Sequence, residues 1–143
     1  HLAKWLGFRV AVSDDRAEFC NPESVPGADA YYPVPMAELP SQLKMTRQTF
    51  LVVTSRGSGV DAAGLPPLLE SKAAYIGVIG SKRRWLTTVK ALKEKGVSDE
   101  LIARVHSPMG LELNAETPEE IAVSIMAEIL MLRDKGTGKM MKD

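Results

Sequence analysis

The stretch Ala74-Tyr75-Ile76-Gly77-Val78-Ile79-Gly80-Ser81-Lys82-Arg83-Arg84 decides the fold. A short apolar run ends in Gly-Ser, three cations follow at once, and a helical pattern begins. Strand, glycine turn, helix start is an order that builds an anion site. Backbone N–H groups at a helix N-terminus point outward unpaired, and the helix dipole favours negative charge there. Gly80 lets the backbone turn and approach a ligand closely. Three cations in a first helical turn oppose the dipole, which points to an external anion such as phosphate or pyrophosphate as their partner. The same run is also compatible with a solvated basic face on an ordinary surface helix.

Working outward, strand and helix signals alternate along the chain. Residues 2–6 read as the last turns of a helix stopped by Gly7. Residues 8–13 read as a strand ending in Asp14-Asp15-Arg16, and residues 30–34 as a short edge strand limited by Pro33 and Pro35. Residues 36–44 carry a weak helical pattern. Residues 49–54 (Thr-Phe-Leu-Val-Val-Thr) read as a buried strand followed by the loop Ser55-Arg56-Gly57-Ser58-Gly59. Residues 61–71 read as a helix that Pro66-Pro67 breaks or delays. After the 73–79 strand, Trp85, Leu86, Val89 and Leu92 recur at helical spacing up to Gly96. Ser98 caps a short helix carrying Leu101, Ile102 and Val105, and residues 105–114 read as irregular. Thr117-Pro118-Glu119-Glu120 is a capping-box helix start. The segment that follows is apolar almost all round, as for a helix buried on more than one side. Such alternation predicts an α/β fold, a parallel sheet with helices on both faces. Residues 1–135 are expected to form one domain, with a disordered tail over 136–143.

The chain has 143 residues, 18 Lys plus Arg and 18 Asp plus Glu, for a formal net charge of zero. One domain fits that length. A nucleic-acid binder shows a basic excess, and none is present here. No apolar run approaches the ~20 residues that span a bilayer. The single cysteine, Cys20, excludes an internal disulfide and fits a reducing, cytoplasmic setting. Cys20 and two scattered histidines do not make a zinc site, so no metal ligand is assigned.

In a dinucleotide-type fold an acidic residue ends the second strand about 20 residues beyond a glycine-rich loop. Asp14 or Asp15 fits that acidic role, which puts the loop and the first strand ahead of His1. That first strand is central, so its absence is expected to leave two strand edges open inside the sheet. Rearranged pairing, a swapped dimer or other homo-oligomer, or a second polypeptide in the gap are the expected consequences.

Several segments together resemble the C-terminal, Rossmann-like domain of the XdhC/CoxI family, accessory proteins of xanthine dehydrogenase and related molybdenum hydroxylases. They are Leu6-Gly7-Phe8-Arg9-Val10 with Asp14-Asp15-Arg16; Phe19 with Asn21-Pro22-Glu23; Tyr75 through Arg83; Arg104-Val105-His106-Ser107-Pro108-Met109-Gly110-Leu111; and Ala115 through Ile125. They span nearly the whole chain in the family's order. The resemblance implies a Rossmann-like sheet and binding of molybdenum cofactor (molybdopterin). It further implies a chaperone role in sulfuration and delivery of that cofactor, with a xanthine dehydrogenase-type molybdoenzyme as partner and a cysteine desulfurase as a further one. It also implies an amino-terminal domain that this chain lacks. In two places the chain departs from the family. No His follows the Arg56-Gly57 loop, and Cys20 stands where Ala is more common, so Cys20 receives no role.

The candidate cofactor-binding residues are Asp14, Arg56, Gly80, Ser81, Lys82, Arg83 and His106. Asp14 suits hydrogen bonds from a ribose or pterin, or else a turn cap with Asp15. Ser81, Lys82 and Arg83 offer a hydroxyl, a point charge and a planar fork to a phosphate. Arg56 lies in a glycine-containing loop at a strand's carboxyl end, where open α/β sheets bind ligands. His106 sits in a loop and titrates near neutrality, and a structural role bonded to backbone is the competing reading. Glu120 is read as the capping-box partner, and Trp5 and Trp85 as core or interface anchors. No nucleophile–base pair is visible, so no catalytic residue is assigned. Two classes of function remain open: a cofactor-binding accessory protein, or an NAD(P)-binding oxidoreductase domain on the same fold. A chain that binds nothing without the first strand is the third possibility.

Overall fold

The computed structural model describes residues 1–143. Five short strands, β1 (Ala11–Ser13), β2 (Ala30–Tyr32), β3 (Phe50–Val53), β4 (Tyr75–Val78) and β5 (Val105–His106), alternate with helices. The helices are α1 (Leu2–Trp5), α2 (Leu39–Gln42), α3 (Ser58–Leu69), α4 (Lys82–Glu94), α5 (Asp99–Ile102) and α6 (Pro118–Arg133). All pairing is parallel: β1 with β2, and β3–β4–β5 as a second ladder. This is the α/β architecture that the alternation predicts, with the Rossmann-like sheet that the resemblance implies.

The sheet is in two parts. No ladder joins β1 to β3, yet the two face each other. Phe8, just ahead of β1, meets Phe50 at the start of β3 edge-on, with ring centroids 5.8 Å apart. Just beyond the strands' far ends, Arg56 Nη2 reaches Asp15 at 3.0 Å. The spatial order is therefore β2–β1–slot–β3–β4–β5. The strand edges flanking the slot stay open, and pairing within the chain does not rearrange to close them.

Every residue of β4 is buried because both faces of the strand are covered. Ile76 and Val78 join Leu51, Val53, Leu65, Leu68, Leu69 and Leu92 in the larger core, under α3 and α4. Tyr75 faces the other way and packs with Ile125 and Ile129 of α6. Helices thus cover both faces, as expected. The sequence pattern also explains which apolar residues stay out. Trp85, Val89 and Leu92 lie on one stripe of α4, while Leu86, one residue and about 100° round from Trp85, is exposed. On α6 the inward stripe is Ile121, Ser124, Ile125, Glu128 and Ile129. Val123 falls off that stripe and Leu132 lies on it in the last turn, beyond the packed part; both are exposed, so this helix is buried less completely than its apolar content suggests.

Three local expectations need correction. α3 begins at Ser58 and runs through Pro66 and Pro67 without a break. The two prolines withhold the N–H groups that would bond the carbonyls of Ala62 and Ala63, and burial of Leu65, Leu68 and Leu69 holds the helix regardless. Residues 105–114 are not wholly irregular, because Val105 and His106 pair with Ile76 and Gly77 as β5. Of the two roles read for Trp5, core or interface anchor, the core one is excluded, because it is 82% exposed. Elsewhere the local readings hold. Gly7 and Gly96 stop their helices at φ +89° and +81°. Ser98 accepts from Leu101 N–H at 3.3 Å, and Thr117 and Glu120 form a reciprocal capping box. No helix is long and apolar enough to cross a membrane.

Candidate functional site at the strand carboxyl ends

In a parallel sheet all strands finish at the same end, and the residues singled out from sequence gather there. Asp14 follows β1, Arg56 lies just beyond β3, Gly80 to Arg83 follow β4, and His106 ends β5. The slot between β1 and β3 is also where the strand order reverses, the point at which open α/β folds bind ligands.

The turn after β4 is built from the bottom up. Gly80 adopts φ +130°, a conformation L side chains rarely take. A Cβ there would also lie 2.9 Å from Arg84 Cδ. Ser81 is the N-cap of α4, its Oγ accepting from Arg84 N–H at 3.1 Å. The N–H groups of Lys82 and Arg83, first in the helix, have no acceptor inside it.

The three cations part ways. Arg84 turns inward: Nη2 donates to Asp61 Oδ2 and Ser55 Oγ, both at 2.9 Å, and to the Ser55 carbonyl at 3.2 Å. Ser55 Oγ also donates to the other oxygen of Asp61, whose side chain is 0% exposed. This clamp ties the loop after β3 to the start of α4. One polar atom is left over, the buried Nε of Arg84. Lys82 and Arg83 remain exposed and enter no ion pair within the chain. Cationic side chains and helix N–H groups together are thus presented beside Gly80.

At β1 the acidic pair is already engaged. Asp14 accepts from the backbone N–H, Nε and Nη2 of Arg16 at 2.9–3.1 Å. The side-chain bond from Arg16 is the main cause that holds its carboxyl low, at about 2. Arg16 in turn lies over the Phe19 ring. Asp15 takes Arg56, with both its oxygens within 3.1 Å of Nη2. Asp14 and Arg56 therefore stand at the correct end of the sheet, each with a protein partner that a ligand would share or displace.

His106 belongs to a second polar cluster, beneath α6. It stacks on Tyr75 with centroids 5.0 Å apart, and its Nδ1 lies 3.9 Å from Glu128 Oε1. Tyr75 donates its hydroxyl to that same oxygen at 2.6 Å, and Gly110 N–H donates to it at 3.2 Å. Burial, then the bond to Glu128, push the Tyr75 hydroxyl well above its ordinary range. The loop beyond β5 is pinned over the sheet: Met109 N–H donates to the Val78 carbonyl, and Ser124 and Leu111 exchange two bonds. Glu128 and Asp61 were not among the residues singled out from sequence. A charged residue inside an apolar helical stripe, as Glu128 is between Ile125 and Ile129, was the available signal.

Comparison with known proteins agrees with this architecture. Residues 1–129 match the family model described as the XdhC Rossmann domain. The chain is 34% identical over 140 residues to "Uncharacterized protein YqeB" of Escherichia coli (strain K12), covering 97% of this chain and 26% of that protein. It is 32% identical over 135 residues to a probable xanthine dehydrogenase subunit of Bacillus subtilis (strain 168), covering 94% of this chain and 39% of that protein. A crystal structure of a xanthine dehydrogenase from Bacillus halodurans superposes with TM-score 0.78 at 30% identity, covering 95% of this chain and 38% of that one. The chain thus spans between a quarter and two fifths of the length of these relatives. With its strand order, its Gly80-Ser81 helix start and its match over residues 1–129, the chain belongs to the XdhC Rossmann-domain family.

Proposed function

We propose that the chain is the cofactor-binding domain of an accessory protein that holds molybdenum cofactor and passes it to a xanthine dehydrogenase-type molybdenum hydroxylase. The observation that carries this reading is the start of α4. There Lys82 and Arg83 stand exposed and without ion-pair partners, next to two N–H groups the helix cannot satisfy, at the point where the strand order reverses. That donor set fits the phosphate end of the cofactor. In this reading Gly80 gives close backbone approach, and Ser81, Lys82 and Arg83 bind the phosphate. Arg56 and Asp14 border the ring system, and His106 marks the outer edge. The cofactor supplies the redox chemistry, in the enzyme that receives it. This domain binds, orients and shields. A cysteine desulfurase as sulfur donor, and assembly as a homo-oligomer, belong to the same proposal.

An NAD(P)-binding oxidoreductase domain is the second reading, favoured by one observation: an acidic residue, Asp14, ends β1 where a ribose-binding carboxylate stands in dinucleotide folds. Its engagement by Arg16 on three bonds weighs against that role. Titrating the protein separately with molybdenum cofactor and with NAD(P) tests the choice. Saturable binding of the cofactor at concentrations where NAD(P) gives no signal supports the accessory role. The opposite order overturns it.

A further inference from the structure

The polar cluster beneath α6 hangs on one carboxylate oxygen. Tyr75 donates to Glu128 Oε1 at 2.6 Å and Gly110 N–H donates to it at 3.2 Å, which uses both of its lone pairs. Two glycines make this approach possible. A Cβ on Gly77 would overlap the Tyr75 ring, and one on Gly110 would overlap Ser124 Oγ. His106 Nδ1 stands next in line, 3.9 Å from the same oxygen. The Glu128 side chain is only 11% exposed, whereas that of His106 is 39% exposed, so a proton reaches the imidazole directly from solvent. The loop over residues 107–111 depends on this oxygen at its middle. To either side of Gly110 it is fixed elsewhere: Met109 N–H donates to the Val78 carbonyl at 3.3 Å, and Leu111 exchanges two bonds with Ser124.

We propose that His106 is a pH-responsive latch on this loop: charged, it takes Glu128 Oε1 from Gly110 and loosens the loop; neutral, it leaves the loop pinned. Imidazole is the side chain whose charge ordinarily changes between about pH 5 and 8. A cation beside a carboxylate that is nearly out of water is drawn to it more strongly than in a surface pair. Closing the gap by roughly 1 Å makes a charge-assisted hydrogen bond. The Gly110 bond is the longer of the two already on Oε1, so it yields first. Burial and Glu128 push the Tyr75 hydroxyl well above its ordinary range, so it stays a donor throughout. Tyr75 from β4 and Glu128 from α6 are the titratable groups that face the ring, and residues 107–111 carry no charge. Arg104, two residues earlier, is bound to the carbonyls of Leu69, Ser71 and Ala73. The Val78 carbonyl that Met109 holds lies two residues ahead of Gly80, so the loop borders the turn that starts α4. That this turn holds a cofactor phosphate rests on the reading above; the response of the loop to pH does not.

Amide hydrogen exchange tests the latch with no ligand present, so its failure is separate from that of the cofactor reading. Protection is expressed relative to the unstructured rate at each pH. Between about pH 8 and pH 5 the protection of the Gly110 amide is expected to fall about fivefold or more, with the β4 amides unchanged as internal standards. His106→Phe keeps a ring against Tyr75 and has no site for the proton. His106→Gln keeps a polar group that cannot become charged. Both variants are expected to hold Gly110 protection constant over the same range. A parent protein without the step overturns the proposal. So does a step of the same size in either folded variant, or Gly110 protection that rises as pH falls.

Discussion

Lys82, Arg83 and Arg84 are neighbours in sequence with different tasks. Arg84 neutralises a carboxylate that no water reaches, while Lys82 and Arg83 face solvent. Replacing Arg84 with Met leaves Asp61 buried without its cation, a change that costs about 3–5 kcal/mol. Urea unfolding of Arg84→Met is expected to show a loss at that scale, and Lys82→Ala a change within about 0.5 kcal/mol. Equal losses would mean that the clamp is not the structural member of the trio. Asp14 gives a prediction in pH. Arg16 holds its carboxyl at about 2, below the ordinary value of about 3.9 for an unfolded chain. A depressed carboxylate contributes stability that is present above the unfolded value and is lost as pH falls through the folded one. The pair is partly exposed, so the contribution is under about 1 kcal/mol. The stability difference between the parent chain and Asp14→Asn is expected to be constant at neutral pH and to shrink between about pH 4 and pH 2. A difference that persists at the acid end contradicts the pairing.

At the scale of elements, α6 carries the smaller core and positions the loop beyond β5, and its start is well specified. Thr117→Ala removes the cap bond to Glu120 N–H and is expected to cost about 1 kcal/mol, with Thr117→Ser retaining most of it. Denaturant midpoints of the two variants check this. Elements with local signals were legible in the sequence: the caps at Ser98 and Thr117, the glycine stops, and the β3 and β4 runs. Those decided by tertiary contacts were not. β5 is two residues long, too short for any period. It is set in place when Arg104 bonds the carbonyls of Leu69, Ser71 and Ala73, more than 30 residues earlier. The continuity of α3 through Pro66-Pro67 depends on what the helix buries, which local propensity does not contain. The candidate site shows the same division. Gly80 and Ser81 announce a helix start, whereas the inward turn of Arg84 depends on Asp61, 23 residues away.

For the whole molecule, the functional reading joins two facts of different range: a helix start with unpartnered cations, and a sheet whose order reverses beside it. Family membership sets the context, and the binding role of Lys82 and Arg83 is the central claim. The most direct test is the affinity of the protein for molybdenum cofactor, measured with and without the double substitution Lys82→Ala, Arg83→Ala. Charge-assisted hydrogen bonds contribute about 1.5–3 kcal/mol each, so the account predicts affinity at least about 10-fold weaker in the variant, with its unfolding midpoint unchanged. An unaltered affinity in a normally folded variant would contradict it.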